Sequence, residues 1–174
     1  MNLKQLIIPA FLLCTAMQAQ VSTERMKGTW AIAALCSKDT NIAVLFRHDS
    51  VMRSLVSAKY PDAQFMYRFN SGKHHDYWFY NLQYISFDKR EMGWGYAKDS
   101  TFRQREKGHQ GKYTLRNGTL ESPFYVYRDW QKVNLIEVPV EFKVSFEGEF
   151  LVLESKGGQI CYYRRVSDQV MFRD

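Results

Sequence analysis

From Ile136 to Phe146 apolar and polar side chains alternate without a break. Ile136, Val138, Val140, Phe142, Val144 and Phe146 fall on one side, and Glu137, Pro139, Glu141, Lys143 and Ser145 on the other. A period of two marks a strand with one face in a core and the other in solvent. Pro139 has no N–H for a ladder, so it is expected at an edge or a bulge. Glu147-Gly148-Glu149 reads as a turn and Phe150 to Glu154 as the returning strand. Lys156-Gly157-Gly158 reads as a second turn, leading into Ile160 to Val166. The pattern predicts a three-strand meander.

Upstream the same period recurs in shorter pieces. Gly28 to Ser37 reads as the first strand and Asn41 to Phe46 as a second. Asn117-Gly118 separates Gly111–Arg116 from Thr119–Glu121, and both turn residues tolerate positive φ, which predicts a tight hairpin. Asn117-Gly118-Thr119 also fits a glycosylation sequon, but the turn reading outweighs it. Gln64 to Phe69 and His75 to Phe87 flank Asn70-Ser71-Gly72-Lys73 as another hairpin, and Gly93, Gly95 and Gly108 to Gly111 are expected to mark loops. Ser50 to Ala58 reads as a helix, with Asp49 as N-cap and Val51–Leu55 and Met52–Val56 as apolar pairs, or as two β segments. Eight to ten strands and at most one short helix fit an all-β sandwich or a closed barrel.

The first residues belong to a different pattern. Lys4 precedes an uncharged apolar run, Leu6 to Ala16, too short to span a bilayer, and Ala19 stands at a plausible cleavage point. Residues 1–19 are expected to be a cleaved signal peptide, 20–26 a flexible mature N-terminus, 27–167 the domain and 168–174 a tail. The protein is therefore expected in the periplasm or outside the cell. Cys14 follows Leu13 rather than a small residue, which argues against a lipid anchor there. No later segment is apolar enough for a membrane helix. The chain carries +6, and removing Lys4 lowers the mature charge by one. This modest excess, spread along the chain, suits a solvated surface or contact with anionic lipid or glycan, and in that compartment not nucleic acid.

Lys27-Gly28-Thr29-Trp30 puts Gly-x-Trp at the head of the first strand, and Cys161-Tyr162-Tyr163-Arg164-Arg165-Val166 ends the last strand with arginine. With the hairpin phrases Tyr67–Lys73 and Gly111–Leu120, this resembles the calycin-type, lipocalin-like domains exported by Gram-negative bacteria. The resemblance implies an antiparallel up-and-down barrel of eight strands, extending to eight to ten. Gly28 and Trp30 would plug one end, and Arg164 or Arg165 would lie across the indole, the best cation–π surface. The Thr-Asp-Tyr motif of eukaryotic lipocalins is missing, and the stretch 88–108 is longer and more charged than an ordinary connection. If the first and last strands pair with Arg165 near Ile32, Cys161 falls opposite Cys36. A disulfide across the seam and two buried free thiols are then equally open.

Aromatic residues, 16% of the chain, exceed what folding needs. Trp78, Tyr80 and Tyr84 share a face of one strand segment, and with Tyr113, Phe142 and Tyr163 they are candidates to line a pocket for an apolar or amphipathic ligand. A barrel filled by the same side chains is the competing reading. In that case the aromatic and basic stretch Tyr125 to Lys132 would dock an envelope protein, a glycan or anionic lipid. Catalytic chemistry finds no support. His74-His75-Asp76 reads as a solvated turn, because adjacent strand residues point to opposite faces. His48 and His109 are isolated, so no histidine stands out as a haem ligand. Glu137 and Glu141 lie on a polar strand face, Glu147 and Glu149 bracket a turn, and no phosphate loop or nucleophile elbow occurs. No enzyme activity, metal or cofactor is expected. The leading expectation is a carrier for a small hydrophobic or amphipathic molecule.

Overall fold

The computed structural model describes residues 21–46, 49–67, 82–97, 105–129 and 134–171. The chain forms a nearly closed, mostly antiparallel β-barrel with a small flap on one flank. After a one-turn helix, α1 (Thr23–Met26), β1 (Gly28–Ser37) turns into β2 (Ile42–Leu45), followed by α2 (Ser50–Lys59) and β3 (Gln64–Tyr67). Then come β4 (Leu82–Phe87), β5 (Glu91–Ala97), β6 (Arg105–Lys112), β7 (Thr114–Arg116), β8 (Thr119–Asp129), β9 (Asn134–Glu147), β10 (Phe150–Ser155) and β11 (Gln159–Ser167). The strands follow one another laterally as β6-β5-β4-β1-β11-β10-β9-β8-β7. Only Tyr113 separates β6 from β7, so the two are halves of one bent strand. The first half pairs with β5 and the second with β8, which carries the sheet round on itself and leaves little free edge.

The meander read from the alternation is present as β9, β10 and β11. Pro139 lies beyond the end of β10, whose pairing with β9 stops at Phe142, and faces Pro123 across β8. It therefore occupies a place with a partner strand on one side only, where a missing N–H is tolerated. Asn117 (φ 49°) and Gly118 (φ 74°) form the β7–β8 turn in the left-handed region that the hairpin requires. Asp49 caps α2, accepting from the Met52 N–H at 3.0 Å.

Two expectations need correction. Gly93, Gly95, Gly108 and Gly111 lie within β5 and β6, not in loops. They flank a register shift between Gly93 and Gly95, and a bulge is where a strand tolerates glycine. The hairpin expected between 64–69 and 75–87 falls largely outside the described residues, which omit 68–81; of its described parts, β3 runs parallel to β2 and β4 pairs with β1 and β5. Residues 23–26, expected as part of a flexible lead-in, form α1, with Met26 fully buried. The tail beyond β11 is likewise tied down. The Thr29 hydroxyl donates to the Gln169 carbonyl at 2.7 Å, and the Met171 N–H donates to Ser86 Oγ at 3.3 Å.

β1 organises the barrel. One edge pairs with β11 throughout, and the other is shared, with Gly28–Ala31 on β4 and Ala34–Ser37 on β2. At the handover Ala33 is an extra residue relative to β11, since Ile32 faces Tyr163 and Ala34 faces Tyr162. The bulge reverses which side even-numbered residues face. Trp30 and Ile32 point into the barrel with Ile85, Phe87, Met92, Leu120, Val144 and Leu151. Ala34 and Cys36 join an outer core, where Phe150, Val152, Ile160 and Tyr162 meet Met52 and Val56 of α2. The helix thus covers a flank of the barrel whose outward face is apolar.

Candidate functional site

At the end closed by α1, Met26, Trp30, Phe87, Met92, Leu120 and Leu151 are all buried to 2% exposure or less. The Trp30 indole donates to the Met26 carbonyl at 2.7 Å, fixing α1 as a stopper. The Arg165 guanidinium carbon lies 4.5 Å from the Trp30 ring centroid, and its Nη2 donates to the Arg25 carbonyl at 2.5 Å. Gly28 sits at φ +117°, and a Cβ there would meet the Ser167 carbonyl at 2.6 Å, so only glycine lets β1 enter beside the end of β11. Of the two arginines that the sequence left open, Arg165 stacks on Trp30. Arg164 faces the other way, 5.0 Å from the Phe150 ring, and pairs with Asp49 at 2.8 Å and Glu149 at 2.9 Å.

Further along the inner face Gln83, Trp94, Phe142 and Cys161 are half-buried around Tyr163, whose hydroxyl lies 3.4 Å from Gln83 Oε1. Ile32, Leu153 and Tyr163 form the floor, each 4% exposed or less. The lining combines three aromatic rings with an amide, a phenol and a thiol. Burial pushes the Cys161 thiol up to about 11, against a hydrogen bond with Tyr163 that pulls it down, so it is a neutral group at physiological pH. Among the described residues such a surface offers apolar contact with a few polar handles.

The structure places three of the six residues expected to line a pocket inside the barrel. Phe142 and Tyr163 stand near Gln83 on the inner face. Tyr113 is inside but deep at the α1 end, edge-on to Phe87 at 5.6 Å and donating to the Asp88 carbonyl at 2.9 Å, so it belongs to the packed floor. Tyr84 is a correction. It lies on the outer face with Ala31, beneath Phe46, Val166 and Met171, because Ile85 and Phe87 take the inward parity of β4. Trp78 and Tyr80 lie outside the described residues. Gln83 and Trp94 went unremarked in the sequence. The signal for Gln83 was its parity with Ile85 and Phe87.

Of the two cysteine readings left open, the structure has the free thiols. Cys36 and Cys161 are free thiols, Cys161 faces Leu35 rather than Cys36, and the two belong to opposite cores. The bulge at Ala33 is the cause, since without it the two would share a face. Burial raises Cys36 from 9.0 to about 11, with the nearby Cys161 adding to the shift. Among the described residues no three His, Cys, Asp or Glu side chains gather as a metal site, and no helix is long and apolar enough to cross a membrane. His48, His74, His75 and Asp76 lie outside the described residues. So do Trp130 to Lys132, and of 125–129 only the backbone course in β8 is described.

Fold and inner face together define a nearly closed, mostly antiparallel β-barrel plugged at one end by α1. No family model matches the chain, and no curated protein or solved structure matches it.

Proposed function

We propose that this protein is an exported, lipocalin-like binding module that takes a small hydrophobic or amphipathic molecule into the barrel from the end opposite α1. The observation that carries the reading is the group of half-buried side chains Gln83, Trp94, Phe142 and Cys161 around Tyr163 on the inner face. Apolar rings would hold the body of the ligand, and the Gln83 amide with the Tyr163 hydroxyl would orient a polar end. Binding at such a surface is non-covalent and needs no catalytic group or cofactor. Export rests on the leader pattern of residues 1–19.

A dansyl-labelled fatty acid tests this. Saturable binding, one probe per chain, with blue-shifted probe emission and energy transfer from tryptophan is expected. Phe142→Arg should weaken binding at least ~10-fold, because it places a charge among apolar walls. Met66→Arg, on the exposed flap strand β3, should leave binding unchanged and controls for a general surface effect. Binding that does not saturate, or that ignores Phe142→Arg in a folded variant, overturns the reading.

A further inference from the structure

The closed end carries a second recess, on the outside of the stopper. It is an open cleft of about 530 Å³ lined by Arg25, Trp30, Phe146, Gly148, Glu149, Arg164 and Arg165. Arg25 and Arg165 are the arginines of the lining that stand against the Trp30 and Phe146 rings. Their guanidiniums lie over aromatic rings, Arg25 at 3.8 Å from the Phe146 centroid and Arg165 at 4.5 Å from Trp30, and the two rings are 5.9 Å apart. A guanidinium over a ring face keeps its in-plane N–H donors for other partners.

Glu149 and Asp49 both go to Arg164, and Asp168, 89% exposed, meets Arg165 Nη1 at 2.9 Å. Arg165 Nη2 is spent on the Arg25 carbonyl. Among the described residues the Arg25 guanidinium has no carboxylate partner, and it makes a long 3.5 Å contact to the Gly148 carbonyl. A guanidinium with donors to spare, beside a second whose carboxylate partner is almost fully exposed, is a fork for an oxyanion.

We infer that this cleft binds an oxyanion, a phosphate or carboxylate group, between Arg25 and Arg165. The site is distinct from the barrel interior and does not depend on it. Its position beside the Trp30 stopper would couple occupancy to the packing of α1, since Arg165 also holds the Arg25 carbonyl.

The test is titration of the mature protein with inorganic phosphate and, separately, with vesicles of phosphatidylglycerol or of phosphatidylcholine, at low salt. Saturable phosphate binding is expected, weakened about tenfold by Arg25→Gln, the loss of one charge-assisted interaction. Arg25 lies on the surface of a one-turn helix, so this variant should keep the fold. Glu149→Gln removes the one carboxylate of the lining and should tighten binding. Binding to phosphatidylglycerol but not phosphatidylcholine vesicles, also lost in Arg25→Gln, would assign the anion to a lipid headgroup. Phosphate binding without vesicle binding would assign it to a free anion. Failure of both probes to saturate, or equal binding by Arg25→Gln, overturns the inference.

Discussion

Four buried side chains in this barrel hold their protons more tightly than they would in an unfolded chain. Burial raises Cys36 and Cys161 to about 11 and Tyr113 to about 12, and raises Tyr162 as well. Each must stay neutral to remain in the core. The stability these groups contribute is therefore complete below pH 9, where the unfolded thiols begin to ionise, and is lost as pH rises toward 12. The urea midpoint should stay level from about pH 7 to 9 and then fall. Replacing both cysteines by alanine should flatten the earlier part of that fall and leave the tyrosine part. An unchanged slope in the double variant would show that the thiols are not the groups being titrated. Sequence shows which residue types are present but not their protonation. Gly28, Trp30 and Arg165 were legible as a plug because the end of the barrel is built from the ends of the chain. The choice of Arg165 over Arg164 was not, since only the register at Trp30 decides it.

At the scale of elements, α2 is the part whose attachment can be taken apart most cleanly. Asp49 does two things, capping the helix at the Met52 N–H and pairing with Arg164 of β11. Asp49→Ala should cost about 1 kcal/mol for the cap alone, with any loss from the ion pair added. Asp49→Asn keeps a capping oxygen and should cost less, since Arg164 retains Glu149 at 2.9 Å. Urea unfolding of the two variants gives the comparison, and equal losses would mean that the ion pair, not the cap, holds α2 in place. The cap and the helix were legible from Asp49 and the Met52–Val56 spacing. The meander and the Asn117-Gly118 hairpin were legible because alternation and turn chemistry agreed. What sequence hid were the bulges. One extra residue at Ala33 swapped the face of Cys36, and a shift near Gly93 and Gly95 made strand glycines look like loop glycines. Parity counted along a chain is blind to an inserted residue. In the same way, the even-numbered aromatic face read over 75–87 places Tyr84 outside, because the inward face there is odd-numbered.

Over the whole molecule the barrel is asymmetric. Residues 21–26 and 168–171, the Trp30 stopper and the short turns at 88–90, 117–118 and 148–149 gather at one end. The strand ends at residues 82, 97, 105, 129 and 134 lie at the other. A barrel of this size can be filled with side chains, so the proposed ligand site needs a direct test. The most direct measurement is native mass spectrometry of the mature protein, recovered without reductant from an oxidising export compartment. The account predicts a reproducible added mass that leaves on denaturation, together with two thiols open to alkylation once the chain unfolds. A chain that stays bare there and after incubation with the dansyl fatty acid would contradict binding inside the barrel.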